Sequence, residues 1–316
     1  MTNRIVFMGT PDFAVESLKQ LLNAGIEVAA VVTAPDRPAG RGQKLRYSAV
    51  KEYALENGLE ILQPEKLKSS DFNERLELIN ADLFVVVAFR MLPEMVWSMP
   101  PLGTINLHGS LLPQYRGAAP INWAVINGEQ ETGATTFFIE KEIDTGKIID
   151  NVTIPILEED TAGSIHDKLM VEGAGLLVKT VNAIFNGDVK AKAQDEFDLT
   201  TIKHAPKIFK ADCKIDWKNS TNDIFNKIRG LSPYPTAWTK IKMGDKIKLL
   251  KIFQVKRKFD NTNHNSIIKQ EDGSLFFGTN DGWVEIIELQ LEGKKRMTAD
   301  AFLKGYDLSE AELVNE

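Results

Sequence analysis

The sequence predicts an α/β protein: a doubly wound, mostly parallel, Rossmann-like sheet, followed by a small β-rich, barrel-like (OB-like) domain. Three observations predict it. Through the first 187 residues, short runs of Val, Ile and Phe alternate with stretches of helical period, the pattern of repeated β–α units. The rest of the chain carries short runs in which apolar and polar residues alternate, as antiparallel strands do. Charge reverses between the two parts: residues 1–206 hold 19 Lys and Arg against 28 Asp and Glu, a net −9, whereas residues 207–316 hold 19 against 16, a net +3.

Each element follows in order. RIVFMG (4–9) is an apolar run ending in Gly, and FAVESLKQLLNAG (13–25) has apolar residues at helical spacing up to a Gly stop, which makes a β–α opening. EVAAVVT (27–33), DLFVVVAF (82–89) and TINLH (104–108) read as buried parallel strands, separated by helical stretches such as SAVKEYALENG (48–58). The segment 161–187 reads as one long helix with Thr161 as its N-cap. Residues 188–207 have weak periodicity and mixed charge, and a linker is placed there between a catalytic domain (1–187) and a C-terminal domain (208–316). In the latter, TNDIFNKIRGL (221–231) reads as a helix and AWTKIKM, KIKLLKIFQVKRKF, SLFFGT and WVEIIELQL read as strands.

Composition narrows the function. The chain has 316 residues, 43% apolar and 26% charged, enough to build two domains. No apolar run approaches the roughly 20 residues of a membrane helix, and no signal-peptide pattern opens the chain. A cytosolic monomer without a membrane partner is expected. Cys213 is the one cysteine, and His108, His166, His204 and His264 are scattered, so neither a disulfide framework nor a metal motif is read, and metal-free chemistry is expected. The overall charge of −6 hides a basic stretch, residues 214–258, with 12 Lys and Arg against 3 Asp and Glu. Such a stretch suits phosphate, although a solvated lysine-rich face has the same composition.

Several motifs fail on inspection. MGTPDF lacks the further glycines of a dinucleotide fingerprint, and PAGRGQK lacks the GK[ST] ending of a P-loop. Ser110 follows Gly109, but a nucleophile elbow needs Gly two residues before the serine, where His108 stands.

INLHGSLLPQYRGAAP (105–120) is different. On a strand, Asn106 and His108 share a face, and at the carboxyl end of a parallel strand they stand where open α/β sheets bind ligands. An amide beside an imidazole offers two donors to a developing oxyanion, and imidazole moves protons near neutral pH. Asp144, in EIDTGKII (142–149), is a carboxylate available to orient that imidazole. The plainer alternative makes Asn106 and His108 strand-end caps and Asp144 a turn former.

The stretch INLHGSLLPQYRGAAPINWAVINGEQETGATTFFIEKEIDTGKII resembles the catalytic region of the formyltransferases that use 10-formyltetrahydrofolate. The resemblance is nearly full length. FMGTPDFAV, TAPDRPAGRGQKL, APKI followed by IDW, and the basic C-terminal part most resemble the members that act on initiator methionyl-tRNA. The resemblance implies a catalytic trio at Asn106, His108 and Asp144, and 10-formyltetrahydrofolate as formyl donor. It places Ser110, Leu111, Leu112 and Pro113 at the folate, with Leu92 and VVVAF shaping a slot for the pteridine. It places Arg37, Arg41, Lys44 and Arg46 of the DRPAGRGQKLR loop at the acceptor stem, and Lys240, Lys242, Lys246, Lys248 and Lys251 on stem phosphates. One departure is AFRMLP (88–93), which is a residue shorter than the family pattern and carries Arg90 in place of a small residue. It keeps a second substrate class open, an amino sugar nucleotide.

Overall fold

The computed structural model describes residues 3–39, 44–198 and 200–314. In chain order it contains β1 (Arg4–Gly9), α1 (Asp12–Asn23), β2 (Glu27–Val32), β3 (Arg37–Ala39), β4 (Lys44–Arg46), α2 (Ala49–Glu56), β5 (Ile61–Leu62), α3 (Ser70–Ile79) and β6 (Leu83–Val87). Next come α4 (Glu94–Trp97), β7 (Thr104–His108), β8 (Arg116–Gly117), α5 (Pro120–Ile126), β9 (Glu131–Phe138), β10 (Ile148–Pro155) and α6 (Ala162–Asn186). The chain then forms β11 (His204–Ala205), α7 (Thr221–Gly230), β12 (Ala237–Met243), β13 (Lys246–Phe259), β14 (Ile268–Glu271), β15 (Ser274–Gly278) and β16 (Gly282–Leu291). It ends with β17 (Met297–Thr298), α8 (Ala299–Leu303) and β18 (Glu312–Val314).

These elements form two compact units that are not consecutive segments. The first comprises residues 1–117, 132–154 and 166–204; the second comprises 118–131, 155–165 and 205–316.

The first unit is built on a seven-stranded sheet of order β10-β9-β7-β6-β1-β2-β5. β1 pairs in parallel with β2 and β6, β6 with β7, and β2 with β5, while β9 runs antiparallel to β7. Strand order therefore reverses between β1 and β6, the place where such sheets open a ligand crevice beyond their carboxyl ends. β1 and β6 are almost wholly apolar and buried, as strands covered on both faces must be. Gly9 ends β1 because a Cβ there would stand 2.6 Å from Ala14 Cβ and 3.1 Å from the Val87 carbonyl. One face of the sheet carries Val6, Met8, Phe84 and Val86 against Phe72, Leu76 and Ile79 of α3. The other packs against α6, where Gly173 lets the helix approach Leu107 and Ala134.

The second unit has an antiparallel sheet of order β14-β15-β16-β13-β12-β18, with β17 on β16, curled as a half-barrel. Its core gathers Ile224, Phe225 and Ile228 of α7 with Ile241, Leu250, Ile252, Phe277 and Ile286. Trp217 is fully buried among them and donates its indole N–H to Thr239 Oγ1 at 3.0 Å, so its polar atom is satisfied. α7 begins at Ser220, whose hydroxyl accepts the Asp223 amide. The Thr161 hydroxyl likewise accepts the Ser164 amide at 3.2 Å at the start of α6, the cap its residue type predicts.

Candidate active site

Strand β7 positions the first two residues. Asn106 pairs in register with Val86 on one side and Phe137 on the other, and His108 with Thr135. Both side chains thus leave the same face at the carboxyl end of the strand. His108 is buried and meets the Phe137 ring edge-on, with centroids 6.5 Å apart. Its Nε2 lies 2.9 Å from the Tyr115 carbonyl. A carbonyl only accepts, so that nitrogen carries a proton. Nδ1 faces Asp144 Oδ2 at 3.7 Å, too far for a hydrogen bond but near enough for charge attraction. The half-buried Asn106 amide makes no side-chain hydrogen bond among the described residues.

The loop after Phe138 supplies the carboxylate. Asp144 stands at φ +54°, a left-handed conformation that Asp tolerates better than most residues. Gly146 lets this loop close, since a Cβ there would meet the Phe138 carbonyl at 1.7 Å. Asp144 Oδ2 accepts the Gly117 amide at 3.0 Å. Two residues not singled out from the sequence complete this side. Gln194 donates to the Asp144 carbonyl, and Arg116 donates to Gln194. Burial holds the Arg116 guanidinium below its usual basicity, and the Asp144 charge works in the opposite sense.

The segment 109–117 folds over the same face. Ser110 is fully buried, and its hydroxyl donates to the Gln114 carbonyl at 2.7 Å, so it shapes the loop. Thr135 fastens the loop to β9, donating to the Ser110 carbonyl at 2.6 Å and accepting the Leu112 amide at 3.1 Å. Leu112 packs on Phe137 and Ile148, Leu111 on the bare backbone of Gly133, and Pro113 is buried. Leu92 packs with Val86 near Phe89 and Ile139, on the sheet face from which Asn106 projects. The apolar residues expected at a flat ring are therefore on the imidazole's side of the sheet.

Known proteins resemble the chain in sequence and in fold. The Formyl transferase model covers residues 3–181, and the Formyl transferase, C-terminal domain model covers residues 207–307. The chain belongs to the formyl transferase family. Within it, the chain is 51% identical to the methionyl-tRNA formyltransferase of Bacteroides thetaiotaomicron, over 99% of this chain and 98% of that protein. It is 48% identical to that of Flavobacterium johnsoniae, over 97% of each. A solved N-formyltransferase from Helicobacter canadensis, in complex with folinic acid and dTDP-3-aminofucose, shares the fold at TM-score 0.65 and 21% identity, covering 93% of this chain and all of that one. HypX from Aquifex aeolicus in complex with tetrahydrofolic acid gives TM-score 0.63 at 20% identity, covering 98% of this chain and 48% of that one.

In this member of the family the basic residues divide into groups. Arg37 and Arg46 are exposed, directly opposed cross-strand partners in the β3–β4 hairpin. Lys44 opens β4, and Arg41 lies outside the described residues. Neighbouring Asp36 is ionised and already paired with Lys51 at 2.5 Å; that contact and a hydrogen bond from Gln63 hold its carboxyl below the usual carboxylate range. Arg90 spends its guanidinium on the Glu65 carbonyl at 2.9 Å and on the Pro64 carbonyl. It clips two loops together. The five lysines expected on one phosphate-binding surface split between two faces. In the β12–β13 register Lys240 opposes Leu249, Lys242 opposes Ile247 and Lys251 opposes Trp238, whereas Lys248 opposes buried Ile241 and Lys246 opposes Met243. Lys240, Lys242 and Lys251 thus share one face, and Lys246 and Lys248 the other. The reason is the turn at Gly244–Asp245, which pairs even-numbered with odd-numbered positions and reverses the parity.

Proposed function

We propose that the chain transfers the formyl group of 10-formyltetrahydrofolate to the α-amino group of methionine on the initiator tRNA, with Asn106, His108 and Asp144 as its catalytic residues. The observation that carries this reading is the Nδ1 edge of His108, facing Asp144 at 3.7 Å and standing on the same strand face as Asn106. The uncharged amine attacks the formyl carbon, forming the new C–N bond as the carbonyl electrons move to oxygen. The Asn106 amide and the Nδ1–H of the charged imidazole donate to that oxyanion, while Asp144 balances the imidazolium. Nε2–H stays on the Tyr115 carbonyl throughout. The oxyanion then re-forms its double bond, the bond to N10 breaks with its electron pair, and the amine's surplus proton ends on N10. No enzyme nucleophile is needed, because a free amine already is one.

The apolar residues Leu92, Leu111, Leu112 and Pro113 would flank the pteridine, with Ser110 holding their loop in shape. Arg37, Arg41, Lys44 and Arg46, with Lys240, Lys242 and Lys251, would meet tRNA phosphates; Lys246 and Lys248 would serve a separate stretch of backbone. The enzyme acts as a cytoplasmic monomer in this reading. Identity of about half over nearly the whole chain to methionyl-tRNA formyltransferases favours the tRNA over an amino sugar nucleotide, which enters only through a neighbour at 21% identity. The test is incubation with 10-formyltetrahydrofolate and either methionyl-tRNA or a 4-amino sugar nucleotide. Formylated methionyl-tRNA is expected. Product on the sugar alone would overturn the assignment.

A further inference from the structure

We infer that Gln194 is a positioning residue for formyl transfer, an amide clasp that sets where Asp144 stands against His108; this rests on the role given to Asp144 above. The residue is 3% exposed, and its side chain uses all of its hydrogen-bonding capacity. Its Nε2 donates to the Asp144 carbonyl at 3.0 Å and to the Gly146 carbonyl at 2.8 Å. Its Oε1 accepts from Arg116 Nε at 3.1 Å and Nη2 at 2.7 Å. A primary amide has two N–H groups and two carbonyl lone pairs, so every position is filled.

The four bonds join two loops of the site. One brings Arg116 and Gly117, whose amide holds Asp144 Oδ2; the other brings Asp144 and Gly146. A residue at φ +54° is held there by its surroundings, and the bond from Gln194 to the Asp144 carbonyl is one of the restraints. Gln194 is itself anchored. Ile148 and Lys192 exchange backbone hydrogen bonds at 2.8 and 2.7 Å, and Phe197 packs on Leu112, Phe137 and Ile148.

Charge gives the clasp a second consequence. The hydrogen-bond partner of the Arg116 guanidinium is a neutral amide, and no ion pair to it forms among the described residues. A guanidinium fork beside a carboxylate tends to close into a bidentate pair. That pairing would draw Asp144 away from the imidazole. Gln194 occupies the fork, so the arginine's charge is felt at Asp144 without a direct contact.

Two substitutions in the full chain test this. Gln194→Leu removes all four bonds, whereas Gln194→Glu keeps an acceptor for Arg116 and removes the two donated bonds. Each should lower kcat by about 10²-fold, the scale of a misplaced catalytic group, while KM for methionyl-tRNA and for the folate stays within about twofold of wild type. The pH–rate profile should change shape. In an Asp144→Asn background either substitution should add no further loss, because residues acting through one another are not additive. The His108 imidazole titration, followed by NMR without substrate, should move in both variants. Wild-type kcat in both, a loss that multiplies with that of Asp144→Asn, or an unmoved His108 titration would overturn the inference. Should Gln194→Leu fail to fold, Gln194→Glu alone decides. Absence of wild-type formylation of methionyl-tRNA would count against the proposed substrate, while the NMR titration would still judge the clasp.

Discussion

His108 and Asp144 face each other through Nδ1 and Oδ2 at 3.7 Å, while the far side of the imidazole is tied to the Tyr115 carbonyl at 2.9 Å. The ring is clamped at Nε2, so its other nitrogen points where the strand face and the carboxylate converge. Tyr115 itself stands at φ +61°, a conformation costing about 1–3 kcal/mol for a residue with a side chain. The loop carries that strain to aim its carbonyl at the ring. Neither the Asn106 amide nor Nδ1 is committed to a side-chain hydrogen bond among the described residues, which leaves both edges open toward a substrate.

Asn106→Ala and His108→Ala should each lower kcat on methionyl-tRNA by about 10²–10³-fold, the cost of losing one oxyanion donor. In Asn106→Ala the melting temperature should change little, since Asn106 makes no side-chain hydrogen bond to lose among the described residues, whereas His108→Ala also loses the bond to Tyr115 and the Phe137 contact and should melt lower; tRNA affinity should change little in both. Steady-state kinetics beside a thermal melt separate the two effects, and wild-type turnover in either variant would remove that residue from the mechanism.

Asp144→Asn keeps the shape of the side chain and removes its charge. A carboxylate that balances the imidazolium should, when neutralised, alter the shape of the pH–rate profile as well as its height. A profile lowered uniformly at every pH would reduce Asp144 to the turn former that its φ of +54° also fits.

The fold is largely legible in the sequence because its signals are local. β1, β2, β6 and β7 are runs of Val, Ile and Phe, and α1, α2, α6 and α7 have helical apolar spacing with Gly or capping residues at their ends. That Asn106 and His108 leave one face is legible too, because side chains alternate along a strand. What escapes is tertiary. Gln194 sits in a polar stretch without period, where the sequence suggests a linker, and only the folded neighbourhood reveals its four bonds. The interleaving of the two units is equally hidden: α5 lies in the N-terminal half of the chain, yet its Asn122 donates to the Gly230 carbonyl of α7 at 2.8 Å, and Gly230 is bare against Ile126. A truncation at residue 207 would therefore cut through the second unit.

Asp281 offers a stability test away from the site. Its Oδ1 accepts the Thr221 amide and hydroxyl, both at 2.7 Å, at the start of α7, and these bonds, the backbone one first, hold its carboxyl below the usual range. A depressed folded-state value means stabilisation that is fully present above the unfolded pKa of about 4 and is lost as pH falls through the lower folded value. Asp281→Ala should cost about 0.5–2 kcal/mol near neutral pH. Chemical denaturation at several pH values should find the difference from wild type shrinking below about pH 4; a constant difference would mean packing, not charge, is responsible.

The hairpin of β3 and β4 poses a sharper question, because it places Arg37 directly opposite Arg46. Like charges at opposed positions destabilise a pair of strands, by about 0.2–1 kcal/mol on the scale of cross-strand effects. Folding alone gives no reason for such a pair, and neighbouring Asp36 is already engaged by Lys51 and Gln63. A polyanion laid across the hairpin, as proposed above, would supply the reason. Arg46→Glu turns the repulsion into an attraction, so thermal stability should hold or rise. Binding should move the other way: KM for methionyl-tRNA should increase while KM for the folate is unchanged. The slope of log affinity against log salt should flatten by about 0.7–0.9 for each phosphate no longer neutralised. Arg41→Ala provides the comparison on the same loop. A stabilised variant that still binds and formylates methionyl-tRNA like wild type, with the same salt slope, would show that the hairpin meets no phosphate and leave the lysines of β12 and β13 to hold the tRNA.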